Sequence, residues 1–304
     1  MTTTRTVRVG TRGSTLARMQ TQTVIDALGA PAELVTIVTS GDRSSAPVEQ
    51  IGGTGVFVSA LRTALVAGEI DVAVHSYKDL PTAPADGIVV GAVPLREDPR
   101  DALIARDGLT LAELPSGARV GTGSQRRAAQ LRSLGLGLDV VPLRGNVDTR
   151  LRRVAEGDFD AVVLALAGLR RLGRADEVTE VLDPIQVLPA PAQGALAVEC
   201  RAGDQDLINL LSIVDDADTR AAVVAERTML GTLEGGCTAP IAALAEVAEG
   251  PEIYLRGSVT APDGSRAVRL SATGPATDAE GIGRRLAAEL IAEGANTMMM
   301  GSST

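Results

Sequence analysis

The sequence predicts an α/β protein: two similar doubly wound units forming a cleft, followed by a small α+β unit at the C-terminus. Short apolar runs alternate with helical periods in two successive rounds, as in parallel sheets covered by helices on both faces. The last third then changes character, with a long helix, two strands flanking the turn Pro262-Asp263-Gly264, and a closing helix. A length of 304 residues and a hydrophobic content of 45% suit two or three packed cores. The expected units are 1–95 with 195–213, then 100–190, then 217–304.

In chain order, 6–10 reads as a strand and 14–28 as a helix, with Ser14 as N-cap and Gly29 as its stop. A strand at 34–39, a helix at 57–67 and strands at 71–75 and 88–93 follow. Residues 40–55 are rich in Gly, Ser and charge and lack periodicity, the mark of a lid or mobile loop. The second round has strands at 102–105 and 119–121, a helix at 124–134, a strand at 140–143, a helix at 147–156 and a strand at 161–166. The proline-rich passage LDPIQVLPAPAQG, 182–194, reads as a crossing between units, and 195–200 as a strand returning to the first sheet. The last unit has a helix at 219–233, strands at 253–259 and 267–272, and a helix at 278–292, before a tail expected to fray.

Composition narrows the chemistry. A net charge of −9 with 1% aromatic residues argues against a nucleic-acid surface. Two cysteines, Cys200 and Cys237, exclude a disulfide scaffold and point to a reducing compartment. The opening MTTTRTVRVG holds no signal-peptide run, and nothing later approaches the roughly 18 apolar residues of a membrane span. A cytosolic protein is expected. The single histidine, His75, excludes paired-histidine metal sites, and two distant cysteines exclude a four-cysteine zinc site. Neither a GxSxG elbow nor a P-loop occurs. The only lysine, Lys78, lies beside His75 in VHSYKDLP; every other basic residue except that histidine is arginine.

The polar cluster HSYKD follows the apolar run DVAV, at a strand's carboxyl end, where α/β sheets place ligands. Asp79 can serve there as a general acid/base, as the stabiliser of a developing cation, or merely as a turn residue pairing with Lys78. Arg12, Arg126, Arg127, Arg144, Arg150, Arg152, Arg153, Arg170 and Arg171 lie mostly just after strands. One such arginine is usually a surface ion pair worth about 0–1 kcal/mol. Convergence on one sheet edge instead predicts a cradle for a polyanion, held by planar guanidinium forks. VRVGTRGSTLARMQ and ARVGTGSQRRAAQL also echo each other: a strand, Gly-Thr, then a Ser-capped helix whose N-terminus attracts anions. Cys237, after two glycines in LEGGCTAP, is either a nucleophile or covalent anchor, or a small buried hydrophobe. A two-unit solute-binding or effector-sensing protein would use most of these features equally well.

Taken in order, GTRGS, HSYKDLP, GTGSQRR, RGNVDTRL, AGLRRLG, PAPAQGALAVECR and LEGGCTAP resemble the hydroxymethylbilane synthase, or porphobilinogen deaminase, family over about residues 8–240. The resemblance implies two periplasmic-binding-protein-like domains and a small third one. It also implies a cytoplasmic, monomeric transferase of haem biosynthesis, acting on porphobilinogen without nucleic acid, membrane or metal. Four porphobilinogen units would be joined head to tail with loss of ammonia, then released by hydrolysis as linear hydroxymethylbilane. Cys237 would carry a dipyrromethane cofactor through a thioether, and Asp79 would be the catalytic carboxylate. Lys78, Ser76, Thr122, Ser124, Arg126, Arg127, Arg144 and Gly145 match cofactor-binding positions. Arg12, Ser14, Arg150, Arg171 and Gln193 match substrate-binding ones. Against the family pattern, Gln50 and Thr54 stand where many relatives carry lysines, and Gly123 replaces a common serine.

Overall fold

The computed structural model describes residues 5–37, 55–233, 240–248 and 250–299. Cys237, Gln50, Thr54 and nearly all of the expected lid lie outside the described residues. The chain divides into two compact units, Met1–Glu97 with Ala195–Arg220, and Asp98–Gly194 with Ala221–Thr304.

The first unit opens with β1 (Val7–Thr11), α1 (Thr15–Leu28) and β2 (Ala32–Thr36). Ser14 Oγ accepts the Ala17 N–H at 3.3 Å, and Gly29, at φ +64°, ends the helix in the left-handed conformation. Then come α2 (Gly55–Val66), β3 (Val72–Ser76) and β4 (Ile88–Ala92), with β10 (Leu196–Arg201) and α6 (Gln205–Leu211) supplied from later in the chain. The sheet order is β2-β1-β3-β10-β4. One face packs Val9, Val72, Val74 and Val198 against Val24 and Leu28 of α1 and Leu207 and Leu211 of α6. The other packs Ala73 and Ile70 against Leu61 and Leu65 of α2. Cys200 belongs to the first of these cores, and burial pushes its thiol up to about 11, which keeps it inert at neutral pH.

Alternating strands and helices predicted parallel sheets, and the structure corrects this. β1 runs parallel to β2 and β3, but β10 is antiparallel to both β3 and β4. Between β4 and β10 the chain builds the strands and helices of the second unit, so no compact strand–helix–strand connection fixes the direction in which β10 returns.

The second unit contains β5 (Asp101–Ala105), β6 (Arg119–Thr122), α3 (Gln125–Ser133), β7 (Asp139–Pro142), α4 (Val147–Ala155), β8 (Ala161–Ala165), α5 (Leu166–Arg171) and the short β9 (Glu180–Val181). Its order is β7-β6-β8-β5-β9, with β6 parallel to β7 and β8, and β5 antiparallel to β8. Gly121 of β6 is required: a Cβ there would come within 2.7 Å of Leu143 and 3.0 Å of Phe159. The same unit takes in most of α7 (Ala217–Thr232), then β11 (Ile241–Ala248), β12 (Glu252–Thr260), β13 (Ala267–Pro275), α8 (Ala279–Ala292) and α9 (Ala295–Met299).

The antiparallel sheet β11-β12-β13 packs Ile253 and Leu255 on Met229 of α7 and on Ile282, Leu286 and Leu290 of α8. Only two of its strands were expected. β11 reads IAALAEVA, an alanine-rich run with little strand propensity, and its eight-residue ladder with β12 overrides that weak local signal. Among the described residues no helix is long and apolar enough to cross a membrane.

The lone histidine has a structural setting. His75 Nε2 lies 3.2 Å from Glu199 Oε2 across β3 and β10, and Arg62 of α2 donates to both Glu199 oxygens, the shortest contact being 2.7 Å. Burial alone would raise the Glu199 carboxyl; His75 and Arg62 outweigh it and hold it at about 2. A depressed folded-state value adds stability above the unfolded value near ~4.3, and that stability is lost as pH falls toward 2. Glu199→Gln is expected to lower the urea unfolding free energy by about 3 kcal/mol at pH 7. The difference from the parent protein should shrink steadily between about pH 4 and pH 2. A gap that stays constant over that range would show that this carboxylate does not contribute the acid limb.

Candidate active site

In the first unit, β1 and β3 are hydrogen-bonded parallel neighbours, so their carboxyl ends emerge side by side. Arg12 and Ser14 follow β1, and Ser76 ends β3. Ser76 Oγ meets the amide of Gln20 on α1 at 2.9 Å. Gln20 escaped the sequence reading; its only signal is a polar residue on the helix stripe that also buries Thr21, Val24 and Leu28.

A single 3₁₀ turn, Tyr77–Asp79, comes next. Tyr77 donates its N–H to Ala195 O at 3.0 Å, Leu80 donates to Tyr77 O at 3.1 Å, and both side chains are buried. Lys78 and Asp79 are thereby displayed between two anchors, Lys78 half-buried and Asp79 exposed. Among the described residues the Asp79 carboxylate accepts no hydrogen bond, so it is not consumed by the turn that carries it.

In the second unit the carboxyl ends of β6, β7 and β8 share one edge because these strands are parallel. Thr122 Oγ1 accepts the Ser124 N–H at 3.2 Å, and Ser124 Oγ accepts the Arg127 N–H at 3.4 Å, which caps α3. Asn146 caps α4 through the Thr149 N–H at 2.8 Å. Between them Gly145 takes φ +112°, a conformation open to glycine, and its carbonyl accepts from Arg150 Nε at 2.8 Å. Arg144 is exposed and Arg150 half-buried. Burial, together with the like charges of Arg127 and Arg144, pulls the Arg150 guanidinium down to about 10. Burial and like charge both disfavour the protonated guanidinium. Gly123 also acquires a reason: a Cβ there would lie 2.8 Å from Leu143 O and 3.5 Å from Arg150 Nη2, so a serine would require this loop to shift.

Arg126 and Arg127 are placed differently from an open cradle. Both are buried against Asp101, the first residue of β5. Arg126 donates to Asp101 Oδ2 at 2.7 Å and to Leu188 O at 2.5 Å, while its Nε is buried with no partner among the described residues. Arg127 donates to Asp101 Oδ1 at 2.7 Å and to Val163 O at 3.0 Å. Gln193 Nε2 adds bonds to Asp101 Oδ1 at 2.7 Å and to Pro99 O at 2.8 Å. Complete burial would raise the Asp101 carboxyl; Arg126 and Arg127 instead hold it well below the usual carboxylate range. Asp101 was not foreseen, its one signal being an acid that opens the apolar run ALIA.

Arg171 donates to Gly194 O at 2.8 Å. Three other arginines of the expected cluster serve surface ion pairs instead: Arg152 with Glu156, Arg153 with Asp158, and Arg170 with Asp98.

Fold and geometry together give a mixed α/β protein with an exposed carboxylate after one strand and a group of arginines after others. The family description "Porphobilinogen deaminase, dipyromethane cofactor binding domain" matches residues 7–209, and "Porphobilinogen deaminase, C-terminal domain" matches residues 220–292. The chain belongs to the porphobilinogen deaminase family. The porphobilinogen deaminase of Nocardia farcinica is 60% identical over 305 residues, covering 97% of this chain and 88% of that one. The Mycobacterium tuberculosis protein of the same name is 59% identical over 306 residues, covering 97% and 99%. Among solved structures, a putative methionine-binding lipoprotein of Bacillus subtilis aligns with 70% of this chain and 91% of its own, at 13% identity and a TM-score of 0.42.

The two kinds of arginine are separable by stability. Arg126→Ala leaves Asp101 buried with a partner missing and is expected to cost about 3 kcal/mol in denaturant unfolding at pH 7. Arg144→Ala, at an exposed position, should stay within about 0.5 kcal/mol of the parent protein. Equal losses in both variants would contradict this division.

Proposed function

We propose that this chain is a hydroxymethylbilane synthase, a transferase that joins four porphobilinogen molecules head to tail, releases ammonia, and hydrolyses the product free as a linear tetrapyrrole. The observation that carries this reading is that the chain holds both a carboxylate, Asp79, that accepts no hydrogen bond among the described residues, and a partly buried Arg150 with the like charges of Arg127 and Arg144 acting on it. A binder of simple anions needs the second feature but not the first. The reading also takes the protein to work as a monomer in the cytosol, with porphobilinogen as its partner.

Each porphobilinogen carries an acetate and a propionate, so the growing chain accumulates negative charge. Arg12, Arg150 and Arg171 bind these carboxylates, with Ser14 and Gln193 alongside them. The planar fork offers each carboxylate two parallel hydrogen bonds, which orients it as well as holding it. Loss of ammonia from the aminomethyl carbon leaves positive charge delocalised toward the pyrrole nitrogen of the substrate. Asp79 accepts a hydrogen bond from that N–H and stabilises the charge as it develops, an effect worth roughly 10²–10³ in rate for one pre-positioned group. The two buried anchors Tyr77 and Leu80 keep this carboxylate in place, so little reorganisation is needed at the moment of reaction.

The residues around Arg150 fit a polycarboxylate prosthetic group: an Arg127–Arg144–Arg150 set of like charge beside a capped helix N-terminus. Lys78, Ser76, Thr122, Ser124, Arg126, Arg127, Arg144 and Gly145 would hold a dipyrromethane joined to Cys237. When bound, that group supplies the pyrrole carbon onto which substrate units are added. Arg126 and Arg127 contribute through fixed positive charge, because Asp101 already takes much of their hydrogen-bonding capacity.

Intact-mass measurement of the purified protein is expected to exceed the polypeptide mass by one dipyrromethane, and Cys237→Ser should abolish the increment. A bare polypeptide mass, unchanged after incubation with porphobilinogen, would sink the reading. Asp79→Asn should lower kcat by roughly 10²-fold or more while leaving the unfolding midpoint within about 2 °C of the parent's. Arg144→Ala should weaken substrate binding or stall assembly; normal kinetics there would remove it from the site.

A further inference from the structure

Ala192 holds φ at +61°, in the left-handed region that an L side chain adopts only against steric resistance. The other non-glycine residue with positive φ among the described residues, Asp107, lies in an exposed turn, and aspartate tolerates that region. Ala192 is fully buried and has no polar side chain to assist it. Its support comes from Glu226 of α7, itself fully buried. Glu226 Oε2 accepts the Ala192 N–H at 2.5 Å, and Oε1 accepts the Ala245 N–H of β11 at 2.7 Å. One carboxylate thus ties the turn to the antiparallel sheet.

The two residues after Ala192 are the ones that touch the arginines. Gln193 Oε1 accepts from Arg127 at 3.4 Å while its Nε2 donates to Asp101, and Gly194 O accepts from Arg171 at 2.8 Å. Because Gln193 N donates to Ala190 O at 2.9 Å, the turn is closed around Ala192, and its φ sets where both groups point. We propose that Glu226 is a positioning residue for the reaction. Its carboxylate clamps Ala192 in the left-handed conformation, and that conformation presents Gln193 and Gly194 to Arg127 and Arg171. This inference rests on the assignment of Arg127 and Arg171 to the binding of anionic pyrroles.

Glu226→Gln tests it, because an amide can accept only one of the two N–H groups and turns a donor toward the other. The expected result, read with porphobilinogen on the cofactor-bearing enzyme, is a KM raised roughly tenfold, as for one lost charge-assisted hydrogen bond. The kcat should change by less than about threefold, since the groups displaced bind substrate rather than reacting. Glycine meets no resistance at φ +61°. Glu226→Gln/Ala192→Gly should therefore recover most of the lost KM, and Ala192→Gly alone should behave as the parent. Arg171→Lys serves as the control for the arginine assignment and should raise KM without the Glu226 change. If Arg171→Lys raises KM but Glu226→Gln does not, or if glycine fails to rescue it, the clamp is overturned. A parental KM in Arg171→Lys overturns the arginine assignment instead. Should Glu226→Gln fail to fold, a folded double variant with near-parental KM supports the clamp. A double variant that also fails to fold would assign Glu226 to the core itself and overturn it.

Discussion

Asp101 is a fully buried carboxylate at the first position of β5, and two guanidinium groups and one amide are built around it. Taking such a charge out of water costs several kcal/mol unless its lone pairs are met by well-placed donors. Arg126 and Arg127, adjacent on the first turn of α3, meet them, and their remaining nitrogens reach carbonyls of Leu188 and Val163. The cluster therefore joins α3, β5, β8 and the proline-rich passage. Arginine suits this task where lysine would not, because its fork serves a carboxylate and a backbone carbonyl together and stays charged when buried.

The first unit solves the same problem twice. Asp71, preceding β3, receives Arg5, Arg8 and Arg201, and Glu199 on β10 receives Arg62 beside His75. An arginine-rich chain with net negative charge thus sorts its cations by the acids that the interior places near them. Those facing an interior acid hold the sheets and helices together. At Arg150 the charged groups that act on the guanidinium, Arg127 and Arg144, are instead of its own sign. The distinction cannot be drawn from residue type, since both kinds follow strands in the sequence.

This sorting is visible among the candidate site residues. Arg126 and Arg127, expected as carboxylate holders, are buried and donate to Asp101 inside the protein. Asp79 shows the opposite outcome, an acid at a strand end that no neighbour engages among the described residues. The two behaviours follow from burial: an interior carboxylate must be satisfied within the protein, whereas one on a turn can remain available.

The local settings of several candidate residues were legible because their signals are local. Ser14 and Ser124 are N-caps, Gly29 ends a helix, and HSYKD follows an apolar strand; each depends on neighbours within a few residues. The ordered motifs that mark the family are local in the same sense, as is the turn that displays Asp79. By itself the sequence determined these elements, the two-round α/β pattern and the chemistry worth looking for. Only the tertiary structure decided that β5 and β10 run antiparallel to their neighbours, that β11 is a strand, and that Asp101 commits two arginines. Asp101 and Gln193 are 92 residues apart, and Glu226 meets Ala192 across 34. The partners of a buried charge, and the strain that a turn can bear, are set by contacts made when distant segments pack, and no short window of sequence contains them.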